Sequence, residues 1–319
     1  MNSPFLMVLK AREKLYKAGI FRTRRLSYPV ISIGNLTLGG TGKTPLVMFL
    51  AERMRNEGFR PVILSRGYHR TTRGVLVVSR GSGPLMDWKE AGDEPYLMAC
   101  RLAGTPLVVG ENRYEAGLHA ESEGLGNLFI LDDGFQHRQL YRDVDIITID
   151  PREWIAGETL LPMGRWREPQ TAIHRAHAAC VQDVRDADVQ LPIPTFKVSL
   201  RIDGIFRCGE FGLIGSAVSL SELRGRAVVA FAGIAKPERF FSALESMGLN
   251  LLQRLSFPDH YVFSEAELKA IEGAIGITTE KDAVRLTHKK EFLALRVSAE
   301  VPEFEALRAL ILGRLTKSK

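Results

Sequence analysis

Cysteine is scarce in this chain: three in 319 residues, Cys100, Cys180 and Cys208, with neither paired spacing nor a metal-ligand pattern. A disulfide framework is thereby excluded, and a reducing compartment is expected. Long apolar runs are also missing. The run from Phe5 to Leu9 is too short for a signal-peptide core or a membrane span, and nothing later reaches about 18 apolar residues. There is no internal repeat and no low-complexity tract. No Asn-Lys-x-Asp guanine motif occurs either, since Thr279-Glu280-Lys281-Asp282 has the wrong order, which disfavours a GTPase. What remains is 45% hydrophobic and 25% charged, the balance of a soluble globular chain long enough for about two domains.

The net charge of +6 points to an anionic partner, and its distribution narrows the choice. Within the first 25 residues, Lys10, Arg12, Lys14, Lys17, Arg22, Arg24 and Arg25 face a single acid, Glu13, so this end alone carries the whole surplus. On a helical projection Phe5, Val8, Leu9, Tyr16 and Ile20 share one side and Lys10, Lys14 and Lys17 the other, while Arg12 falls among the apolar group and has to snorkel. Two readings fit: a helix lying on an anionic membrane, where each Lys or Arg contributes roughly 1 kcal/mol, or a helix packed on the domain with a solvated basic face. A nucleic-acid-binding ATPase would need a basic stripe with stacking aromatics, and none is present.

Val30-Ile31-Ser32-Ile33 reads as a short buried strand. The bend Thr37-Leu38-Gly39-Gly40-Thr41-Gly42 follows, and Lys43-Thr44 opens an amphipathic helix. This is a phosphate-binding loop: glycines let successive backbone N–H groups close on a triphosphate at a helix start. Gly39, Gly40, Thr41, Gly42, Lys43 and Thr44 are the nucleotide contacts, with Lys43 reaching the β and γ phosphates and the Thr44 hydroxyl on Mg²⁺. Pro45 suits the first helical turn. Thr37 stands where the usual pattern begins with glycine.

Downstream, apolar strands are expected at 61–65, 75–78, 106–109, 128–131, 145–149 and 177–181, with helices at 43–57, 94–102 and 112–122 between them. This alternation defines an α/β parallel sheet with ligands at the carboxyl ends of its strands. Residues 151–171 read as a long functional loop. Residues 195–213 alternate around Asp203-Gly204 as a β-hairpin. A second, smaller α/β/α unit restarts with a strand at 227–231, a turn at Gly233 and a helix at 237–247; strands at 251–256 and 275–278 and helices at 264–273 and 302–314 follow. The expected division is a phosphate-loop domain over 1–194, a hairpin linker over 195–218 and a second domain over 219–319.

Leu128-Phe129-Ile130-Leu131 ends in Asp132-Asp133-Gly134, delivering two carboxylates to the edge that bears the loop; this is a Walker B arrangement, in which one acid orients Mg²⁺ and the other holds the metal shell or the reacting hydroxyl in place. Asp93, in Gly92-Asp93-Glu94-Pro95, reads as an N-cap and as a candidate base for an acceptor hydroxyl. Arg66 and Arg113 each follow a strand, while Arg165 and Arg167 lie in the long loop, where closure would bring guanidinium charge to a transferring phosphoryl group. His260, in Pro258-Asp259-His260-Tyr261, sits between a strand and a helix at an interdomain position, where pairing with a carboxylate would orient that group.

Together, Gly34-Asn35-Leu36-Thr37-Leu38-Gly39-Gly40-Thr41-Gly42-Lys43-Thr44-Pro45, Ser65-Arg66-Gly67-Tyr68, Gly92-Asp93-Glu94-Pro95, Leu131-Asp132-Asp133-Gly134-Phe135-Gln136-His137, Arg167-Glu168-Pro169, Phe257-Pro258-Asp259-His260 and Thr278-Thr279-Glu280-Lys281-Asp282-Ala283 resemble the tetraacyldisaccharide 4'-kinase family, in order and over nearly the whole chain. The resemblance implies two α/β/α domains joined by a β-hairpin with ATP between them. It also implies Mg²⁺-dependent phosphorylation of the 4'-hydroxyl of an acylated disaccharide 1-phosphate lipid at the cytoplasmic face of the inner membrane, with no nucleic acid and no obligate protein partner. By the same resemblance Lys43 and Thr44 bind phosphate and Mg²⁺, Asp132 and Asp133 serve metal and active site, Asp93 is the base assisted by His260, and Arg167 assists the phosphoryl group. The alternative is a partitioning-type ATPase switch acting at the membrane, which often carries lysine where Leu38 stands.

Overall fold

The computed structural model describes residues 4–184, 188–209, 217–269, 271, 273–286 and 292–316. Thirteen strands among them form one hydrogen-bonded sheet. In chain order they are β1 (Val30–Asn35), β2 (Pro61–Ser65), β3 (Leu76–Arg80), β4 (Pro106–Val109), β5 (Leu128–Asp132), β6 (Val144–Ile149), β7 (Ala178–Gln182), β8 (Thr195–Arg207), β9 (Ala217–Val218), β10 (Val228–Ala232), β11 (Leu251–Ser256), β12 (Ile275–Thr279) and β13 (Phe292–Glu300). The order across the sheet is β11-β10-β12-β13-β8-β7-β6-β1-β5-β2-β4-β3, with β9 paired to β8.

The central strands are parallel and their side chains are buried along their whole length, as continuous apolar runs covered on both faces require. β1 lies between β5 and β6, while the chain leaving β1 returns two places away at β2. The direction of winding therefore reverses at β1, and a crevice opens outside its carboxyl end. The edge departs from the parallel expectation: β3 runs antiparallel to β4.

One expectation for the connection between the halves is corrected. Asp203-Gly204 is not a hairpin turn, because Thr195–Arg207 is one strand, pairing in parallel with β7 through Thr195–Val198 and antiparallel with β13 through Ser199–Arg207. Opposite Asp203 the register slips, Arg296 facing Gly204 and Val297 facing Ile202, so the Asp-Gly step is a β-bulge, with Gly204 at φ 138°. Residues 210–213 of the expected hairpin lie outside the described residues, as do 210–216 of the expected linker and positions 270 and 272 of the helix expected at 264–273. The partner strand, β13, was not anticipated. Within 151–171, residues Pro151–Ile155 form a short helix capped by Asp150, and a 3-10 helix covers Gln170–Arg175.

The cores interlock. Helix Lys43–Asn56 packs Leu46, Val47 and Leu50 into a cluster that includes Ala299 from the far end of β13 and Val301 just beyond it. The last helix, Phe304–Leu315, sends Leu307, Ile311 and Leu315 into that same cluster, and Arg308 grips Glu57 at 2.6 and 2.7 Å. A second cluster around Val228, Ala230, Phe240, Leu244 and Ile277 builds the other end of the sheet.

Helix Pro4–Lys17 stands apart, with no buried residue. Met7 and Val8 are 62% and 63% exposed, and Arg12, rather than snorkelling, donates to the backbone carbonyl of Gln136.

Candidate active site

The crevice beside β1 receives the phosphate-binding loop. Gly39 and Gly42 take φ of 105° and 76°, which glycine adopts without a Cβ penalty, and a Cβ on Gly39 would strike the guanidinium of Arg165. Thr41 is braced from beneath by Thr148 Oγ1 at 2.7 Å and by Asn35 Nδ2 at 3.0 Å. Gly42 then caps helix Lys43–Asn56 with no side-chain bond, leaving the first amides open to an anion, with Lys43 and the half-buried Thr44 beside them. Arg165 donates to the Leu38 carbonyl at 2.7 and 3.1 Å, so this guanidinium packs on the loop itself.

β5 pairs directly with β1, Ile33 opposite Asp132, so the two carboxylates leave the same sheet edge as the loop. Asp133 is one of three non-glycine residues with positive φ among the described residues, at 49°. This turn directs its carboxylate toward Arg167, whose Nη1 lies 3.0 and 2.8 Å from the two oxygens, and toward Lys43 Nζ at 3.5 Å. Burial alone would raise the Asp133 carboxyl, but Lys43 and Arg167 outweigh it and hold the group below the usual range.

Asp132 goes the other way. Burial, then the charges of Glu94 and Asp133, push its carboxyl up to about 7, offset in part by the Ser65 hydroxyl at 2.9 Å and by Lys43. A buried carboxylate short of cations, next to a threonine hydroxyl at a helix start, is an oxygen donor set that suits Mg²⁺. Among the described residues no three His, Cys, Asp or Glu side chains form a metal cage.

Asp93 is buried on the opposite wall. The helix cap is Gly92, and Asp93 is the first helical residue, a correction to the N-cap expectation. Its Oδ1 accepts from the Glu94 amide at 2.9 Å; its Oδ2 lies 2.7 Å from His260 Nδ1 and is also gripped by Arg285. Lys281 Nζ sits 3.3 Å from His260 Nε2 and 2.9 Å from Glu94. With Lys281 donating to Nε2, the imidazole proton is on Nδ1 and points at Asp93. Burial works to raise the Asp93 carboxyl, but His260, Lys281 and Arg285 together carry it far below the usual range.

His260 also has positive φ, 62°, and so does His69, at 59°, whose ring centroid is 4.8 Å from that of His260. Left-handed backbone at non-glycine residues is a strain that the surrounding structure must over-determine. Arg113 is buried, and burial followed by the charge of Arg66 lowers its guanidinium to about 10.

Arg285 and the role of Lys281 leave no local signal in the sequence, because their partners Asp93 and Glu94 lie far away in the chain. The same holds beyond the loop, where Lys236 meets Asp150 at 2.7 Å and Glu153 at 3.1 Å, and Arg239 meets Asp150 at 2.9 Å and Gln182 at 2.8 Å.

A glycine loop and lysine at a helix start, two carboxylates on the adjoining strand and an arginine facing them define a kinase of the phosphate-binding-loop class. The comparisons with known proteins narrow the class. The chain matches the family Tetraacyldisaccharide-1-P 4'-kinase over residues 2–316. The tetraacyldisaccharide 4'-kinase of Aquifex aeolicus is 38% identical over 95% of this chain and 94% of its own, and that of Geobacter sulfurreducens 40% identical over 88% and 81%. A crystal structure of LpxK from Aquifex aeolicus in complex with ATP superposes with a TM-score of 0.85 at 36% identity, covering 98% of this chain and 96% of that one. This chain belongs to the tetraacyldisaccharide-1-P 4'-kinase family.

Proposed function

We propose that this chain transfers the γ-phosphoryl group of ATP to the 4'-hydroxyl of a tetraacylated disaccharide 1-phosphate, working at the cytoplasmic face of the inner membrane. The observation that carries the reading is the pairing of two walls across one crevice: Lys43 and Arg167 converging on Asp133, and His260 fixed on Asp93.

Gly39, Gly40, Thr41, Gly42, Lys43 and Thr44 hold the triphosphate, and Lys43 and Arg167 neutralise charge on the transferring group. Thr44 and Asp132 would hold Mg²⁺, which when bound would screen the phosphate charge. The acceptor hydroxyl is aligned by Asp93. A carboxylate held this strongly ionised is a weak base, so it acts first by orientation, and the proton passes to the Asp93–His260 pair late in a loose transition state. The acceptor oxygen to phosphorus bond forms as the bond to the β-phosphate oxygen breaks, leaving ADP.

No helix among the described residues is long and apolar enough to cross a membrane. The exposed apolar side of helix Pro4–Lys17 and the basic residues around it support attachment to an anionic surface beside the crevice, where an acylated acceptor resides. A partitioning-type switch would have no use for the Asp93–His260 pair.

The test is incubation with Mg²⁺-ATP and the disaccharide 1-phosphate lipid, read by mass spectrometry. A product heavier by one phosphate is expected; ATP hydrolysis without lipid phosphorylation would overturn the reading.

A further inference from the structure

The helix that begins with Asp93 ends with Arg101. Arg101 Nη1 donates to Glu280 Oε2 at 2.8 Å and to the Val297 carbonyl at 3.0 Å, and Nη2 donates to Ser298 Oγ at 3.0 Å. Val297 and Ser298 directly follow the register slip of the β8/β13 ribbon, which falls between Arg296 and Val297, and Asp203, the extra residue of that bulge, accepts from Ser298 and lies 3.7 Å from Arg101. One end of a nine-residue helix is therefore fastened to the bulge in the ribbon between the halves, while its other end holds the carboxylate that faces His260 and Arg285.

A single turn, Glu280–Ala283, touches both ends: Glu280 accepts from Arg101 and Arg296, and Lys281 pairs with the Glu94 carboxylate and reaches His260. An α-helix of this length, about 14 Å, is stiff, so a displacement at Arg101 is delivered at Asp93.

We propose that Arg101 is a positioning residue for phosphoryl transfer: it locks the helix bearing Asp93 to the Asp203 bulge, so that Asp93 and His260 stay in register whenever the ribbon bends. The inference rests on the reading of Asp93 as the acceptor-side carboxylate. Three acceptors on two elements are met by the forked guanidinium, which a lysine ammonium cannot span at once.

The experiment compares Arg101→Gln, Arg101→Lys, Glu280→Gln and the double variant Arg101→Gln/Glu280→Gln in full-length protein, measuring kcat, KM for ATP, nucleotide affinity and thermal unfolding. Misplacement of a reacting group by about 1 Å costs on the order of 100-fold, so Arg101→Gln should lose about 10- to 100-fold in kcat while KM for ATP and nucleotide affinity stay within about twofold. Arg101→Lys should recover part of the loss at wild-type melting temperature, and it carries the test if Arg101→Gln does not fold. The double variant should be no worse than the poorer single one, as coupled residues require. Wild-type kcat in Arg101→Gln, or in Arg101→Lys should that be the variant that folds, overturns the inference; so does a loss of kcat that merely tracks falling stability and nucleotide affinity. Asp93→Asn separates the two claims. If it is inactive while Arg101→Gln is not, only the positioning role fails, whereas full turnover in Asp93→Asn removes the reading on which that role depends.

Discussion

His260 Nδ1 lies 2.7 Å from Asp93 Oδ2 across 167 positions of sequence, so the pair exists only when the two halves of the sheet are assembled. Each partner is fixed from its own side: Asp93 by its place at a helix start, His260 by a left-handed backbone and by Lys281 on its other nitrogen.

Removal of either partner tests the pair. Asp93→Asn keeps the shape and loses the charge, and general-base contributions of about 10²- to 10⁴-fold set the scale of the expected fall in kcat. His260→Ala should cost less, because Arg285 and Lys281 remain beside the carboxylate. Steady-state kinetics check both; equal activity in Asp93→Asn and wild type would remove the assignment.

Lys43 and Arg167 share Asp133 but should differ in effect. Lys43→Ala is expected to weaken nucleotide binding and turnover together, since the ammonium stands at the helix start proposed to hold the phosphates. Arg167→Ala should act mainly on kcat, by about 100-fold or more if its charge is felt chiefly in the transition state. Nucleotide titration alongside turnover separates the two patterns.

Asp132 gives a pH dependence with a definite sign. Its folded-state pKa, about 7, is above that of an unfolded aspartate, so the folded chain binds the extra proton between about 4 and 7. Stability associated with this group is complete below pH 4 and is lost as pH rises through 7. Asp132→Asn should therefore raise the melting temperature of the nucleotide-free protein at pH 8, by roughly 2–6 °C, and leave it unchanged near pH 4. In kinetics, kcat/KM for Mg²⁺-ATP should fall as pH drops below about 7 and Asp132 protonates.

Helix Pro4–Lys17 predicts a salt-sensitive membrane affinity. Binding to vesicles with anionic headgroups should weaken as ionic strength rises, while binding to DNA should be negligible. Substituting Met7 and Val8 by Asp should reduce vesicle partitioning about tenfold or more, given roughly 1.5–3 kcal/mol for each large apolar side chain buried, without changing nucleotide affinity. Unchanged partitioning would rule out this face as the contact.

Much of the architecture was legible because it is local. The strands at Pro61–Ser65, Pro106–Val109 and Leu251–Ser256 fall where the sequence places them, and the glycine bend leads into a helix that starts at Lys43 as expected. Asp203-Gly204 misled because the dipeptide serves tight turns and bulges alike, and the choice is made by β13, a strand from almost a hundred residues away. Arg285 was invisible for the same reason, its partner Asp93 being 192 residues distant. The left-handed backbones of Asp133 and His260 also leave no mark on composition or spacing; tertiary packing imposes them.

β8 belongs to both halves of the sheet. A single strand whose first residues complete one half of the sheet and whose last residues complete the other cannot be divided without stripping a hydrogen-bonding edge from both. Severed anywhere between Thr195 and Arg207, the polypeptide would yield two sticky fragments rather than two modules, and this enzyme is therefore a poor candidate for expression in pieces.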